Sequence, residues 1–337
     1  MDLRRLAFRL LALGLCACRS SPPPDDAADP RAARPAGAAR PAPLDVCPGL
    51  LAGISTPAVL PADTPVRFVA FGDFGDGSPA QRAVARAMAR VDAARPFDFG
   101  VTLGDNFYEQ GLADPASPRW RSQWETLYGR LGIRLYASLG NHDHYDEASP
   151  AAEHERSRRS ATWCLPSPFY YTFAAGPVQL FALDTDPIER RDVASAREQA
   201  AWLDRALSTS GAAWKVVYGH HPIYSSGLHG DSAALGTTIL PVLEKRGADL
   251  YLAGHDHDLE IQRPAGGVTF AIAGAAGHEV RALGPRSRCS AWAAGRTPGF
   301  AVVEATAESL SIEFVGAGGR DLYRTEIRKG ERRDCSR

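Results

Sequence analysis

The sequence predicts a layered α/β domain with a second β-sheet packed on the first, and three observations carry that expectation. From Val66 onward, short apolar runs alternate with amphipathic stretches; several of those runs stop at a glycine followed by a polar residue; and the last third of the chain changes to strands joined by turns. With 337 residues, 45% of them hydrophobic, there is material for one large domain or two modest ones. The 38 basic and 39 acidic residues nearly cancel, so no bulk field points to nucleic acid or an anionic membrane as the main partner, and an acidic ligand has to be held locally.

The chain opens with MDLRRLAFRLLALGLCAC, in which Arg4, Arg5 and Arg9 lead an apolar run ending in small residues and cysteine. That is the form of an export signal, too short for a stable transmembrane helix. Leu15-Cys16-Ala17-Cys18 resembles a bacterial lipoprotein cleavage box with Cys18 as the lipidated residue, so residues 1–18 are expected to export the chain and anchor it, with Arg19 favouring the outer membrane. Cleavage without lipidation would leave a periplasmic or cell-surface protein, and an uncut signal would remain as an anchor. Residues 19–60, rich in Pro, Ala and charge, read as a flexible tether and lead-in. Residues 61–330 read as one folded domain and 331–337 as a basic tail. Cys47, Cys164, Cys289 and Cys335 lack zinc-finger spacing, and in an exported chain they are expected to form structural disulfides, with all three pairings open.

Within the domain, VRFVAFGDFGD predicts a strand ending at Gly72-Asp73. Ser78 to Arg95 predicts a helix, with Ser78 as N-cap and Pro79 in the first turn. FDFGVTLGDNFYEQ returns as a strand, completing a βαβ unit. RWRSQWETLYGRLG then reads as helix before the strand IRLYASLG, Arg197 to Asp204 as helix before WKVVYGHHP, and Thr237 to Lys245 as helix before DLYLAGHDHD. GVTFAIAGAAG, GFAVVEAT, SLSIEFVGAGG and DLYRTEI are expected as strands of a second sheet packed on the first.

Asp73, Asp105, Asn141, His220 and His255 each follow a strand-like run and a glycine. Loops at the carboxyl ends of such strands converge on one crevice, so these residues are expected to meet. Carboxylate, amide and imidazole donors without cysteine suit hard or borderline cations, and a carboxylate bridging two cations offsets their repulsion. Paired metals in turn suit hydrolysis.

The blocks GDFG (72–75), GDNFY (104–108), GNHDH (140–144), GHHP (219–222) and GHDH (254–257) resemble, in order, the motifs of the calcineurin-like metallophosphoesterases. More narrowly they are similar to the small purple, or tartrate-resistant, acid phosphatases, from about Val66 to Ile327. The resemblance implies a four-layer sandwich of two mixed sheets. It implies that Asp73, Tyr108 and His257 hold a ferric ion, that Asp105 bridges, and that Asn141, His220 and His255 hold a divalent iron, zinc or manganese. His142 and His229 would face substrate as catalytic groups, His221 would shape the pocket from outside the metal ligands, and Asp143 and His144 would orient the site. His278 is open between a place near the site and an exposed loop. Arg156, Arg158 and Arg159 are open between drawing in anionic substrates and a solvated charge run, the simpler account.

The reaction so implied is acid phosphatase chemistry: hydrolysis of phosphate monoesters, on small molecules or phosphoproteins, by a metal-bound hydroxide attacking phosphorus. Three alternatives stay open on sequence: a phosphodiesterase or nucleotide or pyrophosphate hydrolase, an inactive metal-binding surface lipoprotein, and peroxide generation by redox-cycling iron. A lipid anchor would add membrane contact, and oligomeric state leaves no signature.

Overall fold

The computed structural model describes Cys47 and residues 58–329, all within one compact unit. The expected export signal, the basic tail, Cys335 and most of the tether lie outside the described residues. The strands are β1 (Ala58–Leu60), β2 (Val66–Phe71), β3 (Phe99–Leu103), β4 (Leu135–Ser138), β5 (Trp163–Cys164), β6 (Tyr171–Ala175), β7 (Val178–Ala182) and β8 (Trp214–Tyr218). They continue with β9 (Leu250–Ala253), β10 (Leu259–Gln262), β11 (Thr269–Ala273), β12 (Ser290–Ala294), β13 (Gly299–Ala305), β14 (Ser309–Gly316) and β15 (Asp321–Arg328). The helices are α1 (Pro79–Ala94), α2 (Thr126–Tyr128), α3 (Ser149–Arg156), α4 (Asp186–Glu189), α5 (Val193–Thr209), α6 (Ala233–Thr238) and α7 (Leu240–Arg246).

Two mixed sheets result, one in the order β15-β14-β13-β2-β3-β4-β5 and the other β1-β6-β7-β8-β9-β11-β10-β12. Side-chain parity shows why they stack. Along β2, Phe68 and Ala70 point into the layer between the sheets, where they join Val216, Tyr218, Leu250 and Leu252 of the other sheet. Val69 and Phe71 point the opposite way, onto Val84 and Met88 of α1. On the second sheet Val217 and Tyr251 face outward against Leu203 of α5 and Leu243 of α7. Strands buried on both faces read as continuous apolar runs, and the order helix, sheet, sheet, helix is the expected four-layer sandwich.

Ser78 caps α1 as the sequence predicts, its side chain accepting from the Gln81 N–H at 3.0 Å. Other elements differ. The strand-rich final third does not form a second sheet of its own: β13, β14 and β15 extend the first sheet through antiparallel pairing of β13 on β2, while β10, β11 and β12 extend the sheet built by β6 to β9. The helix expected over Thr237 to Lys245 is two helices meeting at Ile239, with Pro241 in the first turn of α7. The helix expected over Arg197 to Asp204 runs from Val193 to Thr209, started by the Asp192 side chain, which accepts from Ala194 N and Ser195 N. RWRSQWETLYGRLG begins as a π-helical turn, Trp120–Glu125, and ends in a 3₁₀ turn closed by left-handed Gly132.

Two described parts of the lead-in are tied to the folded domain. Ala58–Leu60 pairs in parallel with β6, and Cys47 is buried and disulfide-bonded to Cys164 of β5, a closure of 117 residues. Cys289 is also disulfide-bonded. Among the described residues no helix is long and apolar enough to cross a membrane.

Candidate metal centre

The loops after β2, β3 and β4 in one sheet and after β8 and β9 in the other meet along one edge of the sandwich, stitched by backbone bonds such as Gly72 N to Ala273 O (2.9 Å) and Gly254 N to His220 O (2.9 Å). Asp73, Asp105 and His255 leave their strands with φ of 61°, 48° and 67°. Non-glycine residues held at positive φ cost roughly 1–3 kcal/mol each and persist where the surroundings over-determine them, often at functional sites. The glycine ahead of each polar residue also permits close approach: a Cβ at Gly140 would collide with the Asp105 carboxylate, and one at Gly254 with that of Asp73.

All seven residues expected as metal ligands come together. On one side, the Tyr108 hydroxyl lies 3.2 Å from Asp73 Oδ1 and 3.3 Å from His257 Nε2, which is itself 3.4 Å from Asp73 Oδ1. On the other, His220 Nε2 lies 3.1 Å from Asn141 Oδ1 and 3.1 Å from His255 Nδ1. Asp105 stands between them, with Oδ2 2.9 Å from the Tyr108 hydroxyl and Oδ1 3.4 Å from His220 Nε2. Donor atoms of Asp73, Asp105 and His220 lie within 4.8 Å of one another, as do those of His220, His221 and His255. This is a dinuclear metal-binding site.

Hydrogen bonds from the outward ring nitrogens orient the imidazoles. His220 Nδ1 donates to the Leu103 carbonyl at 2.8 Å and His257 Nδ1 to that of Glu279 at 3.1 Å, so in each neutral ring Nε2 presents its lone pair inward. His221 is the instructive contrast. The Thr185 hydroxyl accepts from His220 N (3.3 Å) and His221 N (3.1 Å) and keeps its own proton for His221 Nδ1 at 2.9 Å. With that hydroxyl donating to Nδ1, a neutral His221 ring carries its proton on Nε2, and its ring centroid lies 4.4 Å from that of His255.

The electrostatics fit cations. Burial pushes the Asp73 carboxyl well above its usual range, and burial with the charges of Asp105 and Asp73 does the same to the Tyr108 phenol. Burial and then His220 hold His255 far below the ordinary imidazole range, while burial and then Arg281 bring His257 down to about 3. Burial opposes charge on Asp105 and His220 too, but their mutual attraction outweighs it, keeping the carboxylate ionised and a proton on His220. With Nδ1 committed to Leu103, that proton sits on Nε2, facing His255 Nδ1 and Asp105. Among the described residues no lysine or arginine contacts either carboxylate, and the nearest positive charge is that of His220.

Asp143 and His144 occupy orienting positions. The Asp143 carboxylate accepts from Asn106 N, Asn106 Nδ2, Phe107 N and Gly140 N, tying the loop after β3 to that after β4, while His144 Nε2 meets Asp184 Oδ1 at 2.9 Å. His142 donates from Nδ1 to the Glu109 carbonyl at 2.6 Å, leaving Nε2 on the side of Asp105 Oδ2, 3.9 Å away. His229 stacks over His255 with centroids 4.3 Å apart. A guanidinium only donates, so the 2.9 Å contact of Arg281 Nη1 with His229 Nε2 fixes the neutral ring with its proton on Nδ1. His278 is at the site rather than on a free loop: it stacks on Tyr108 with centroids 3.7 Å apart, and its Nδ1 is 3.2 Å from Asp76 Oδ2. Arg156 reaches Glu125 across 31 residues and lies over the Trp120 ring, whereas Arg158 and Arg159 pair with Glu155, the local pairing of a charge run.

Four residues here went unread in the sequence: Asn106, Thr185, Asp256 and Arg281. Asn106 lies inside GDNFY and Asp256 inside GHDH, so position within a motif was an available signal; Asp256 accepts from the His229 N–H at 2.9 Å. Thr185 and Arg281 have no local pattern at all.

Residues 66–259 match the family model of the calcineurin-like phosphoesterases. The chain is 31% identical over 313 residues to the tartrate-resistant acid phosphatase type 5 of Homo sapiens, covering 82% of this chain and 96% of that one. Among solved structures, the purple acid phosphatase PPD1 of yellow lupin superposes with a TM-score of 0.64 at 16% identity, over 80% of this chain and 55% of that one. GAP50, the anchor in the inner membrane complex of Plasmodium, superposes with a TM-score of 0.67 at 20% identity, over 80% and 90%. At those identities the two superpositions speak for the fold.

Proposed function

We propose, for a chain that belongs to the calcineurin-like phosphoesterases and is related to the tartrate-resistant acid phosphatases, that it hydrolyses phosphate monoesters with Asp73, Tyr108 and His257 holding a ferric ion, Asn141, His220 and His255 holding a divalent iron, zinc or manganese, and Asp105 shared. The observation that carries this reading is the place of Asp105, one oxygen turned to Tyr108 and the other to His220. Bound there, the two metals would supply Lewis acidity toward phosphate oxygens and lower the pKa of water.

The chain's own part is positioning and proton transfer. The Asp143 bonds hold two ligand loops in register, which keeps Asp105 and Asn141 at a fixed spacing. His142 has Nδ1 engaged by Glu109, so Nε2 is the atom left to exchange a proton with a leaving oxygen. His229 has Nε2 engaged by Arg281, which makes Nδ1 its proton-bearing atom. Neither residue brings a fixed negative charge that would repel phosphate.

The test is metal content and visible absorption of the purified protein before and after Tyr108→Phe. Two metals per chain including iron, with a visible band that the substitution removes, is the expected result. Two metals with no tyrosine-dependent band after reconstitution with iron would sink the ferric tyrosinate assignment, and turnover of phosphodiesters but not monoesters would replace the reaction.

A further inference from the structure

Beside the metal cluster lies an open cavity of about 650 Å³ lined by Leu228, Glu279, Val280, Arg281, Ala282 and Arg296. Taking the phosphoesterase reading as given, we propose that this cavity is a second anion subsite, and that the preferred substrates are small phosphate esters whose alcohol part carries a second phosphate.

The cavity is joined to the chemistry by Arg281, whose Nη1 contacts His229 Nε2 while its backbone N–H bonds to the carbonyl of His257, 3.0 Å away. A group held by Arg281 therefore lies one side chain away from a phosphate on the metals. Arg296 is set against it through the backbone, its N–H donating to the Arg281 carbonyl at 2.6 Å. The Arg296 side chain is exposed and has no ion-pair partner among the described residues, and the single acid on this rim, Glu279, is 72% exposed and 3.5 Å from Arg281. Two guanidiniums against one loosely paired carboxylate leave net positive charge, and paired planar forks match phosphate geometry.

The rim is also built to hold its shape. Ser226 N–H and hydroxyl donate to the two oxygens of buried Glu260, at 2.8 and 2.7 Å. Ser226 in turn accepts from Gly284 N on its carbonyl and from Ser287 N on its hydroxyl, each at 2.8 Å, pinning the loop that carries Arg281 to the loop that carries Leu228 and His229. Leu228, 68% exposed, and Val280 and Ala282 offer an apolar wall that a carbon spacer between two phosphates would cover.

The experiment measures kcat and KM of the metal-loaded enzyme for fructose 1,6-bisphosphate and fructose 6-phosphate, in wild type, Arg296→Gln and Arg296→Lys. The wild type should favour the bisphosphate by roughly tenfold in kcat/KM, the scale of one charge-assisted contact at a wet site, beyond the doubling that a second scissile group brings. Arg296→Gln should bring the ratio down toward that doubling through KM, and Arg296→Lys should restore part of it, which a merely misfolded loop would not allow. Added salt should erode the wild-type preference because the site is open to solvent. A wild-type ratio no greater than the doubling, or an unchanged ratio in Arg296→Gln, would overturn the subsite while leaving the phosphoesterase intact. No phosphate released from either sugar or from p-nitrophenyl phosphate would overturn both.

Discussion

The two ends of strand β2 face the same electrostatic problem and solve it differently. At its start, Arg67 is 8% exposed and its charge is met inside the chain: Nε bonds to Glu304 at 2.9 Å on the neighbouring strand, where Arg95 reaches the same carboxylate at 2.7 Å. At its end, Asp73 is fully buried beside Asp105, with phenol, amide and imidazole groups around them and no side-chain cation of the permanent kind. The first arrangement is complete as folded. The second is complete only with something added, and the difference separates a structural charge cluster from a metal site more sharply than burial does, since both are buried.

The largest expected effect comes from breaking the incomplete end. Asp105→Asn keeps an oxygen for the His142 N–H but removes the charge shared by the two donor groups. Metal content should fall below two per chain, and phosphatase turnover should drop by at least the roughly 10²–10³-fold seen when one preorganised charge-stabilising group is lost. Two metals and near-normal turnover would mean that Asp105 is not the shared ligand. Next in size is Asp143→Ala, which touches no donor atom of the cluster. Freeing the four N–H groups that the carboxylate holds should weaken metal affinity about 10–100-fold, measured by competition with a chelator. An affinity equal to wild type would show that the two loops hold their spacing without it.

What the sequence disclosed follows the same division. Asp73, Asp105, Asn141, His220 and His255 were legible because each stands directly after a strand and a glycine, so the local pattern that builds the turn also marks the candidate ligand. Tyr108 and His257 were legible through resemblance of whole blocks. Arg281 reaches His229 across 52 residues, and Thr185 reaches His220 across 35, contacts set by tertiary packing with no periodic trace. The assignment of the last strands failed for the same reason. Parity told which faces of β13 are apolar, but pairing Ala301 with Ala70 rather than with another strand end is a choice made by the assembled sheet. The break at Ile239 does have a local trace, Pro241 in the first turn of α7.

The smallest effect belongs to the complete end, and it tests whether that cluster contributes stability alone. Burial raises the Glu304 pKa, but hydrogen bonds and charge from Arg95 and Arg67 outweigh it and hold the group below its ordinary value. A carboxylate whose folded pKa is depressed contributes stability that is fully present above its unfolded pKa of about 4.3 and is lost as pH falls through the folded value. Glu304→Gln should therefore cost about 1.5–3 kcal/mol at pH 7, the range for a hydrogen bond to a charged group, and the gap to wild type should close as the pH drops below about 4. Denaturant unfolding at several pH values measures it. Metal content and turnover should stay at wild-type levels, because Glu304 pairs with the first residues of β2 while the ligands follow its last. A loss of bound metal in this variant would show that the two ends are coupled through the strand, and that completeness at one end is a condition for binding at the other.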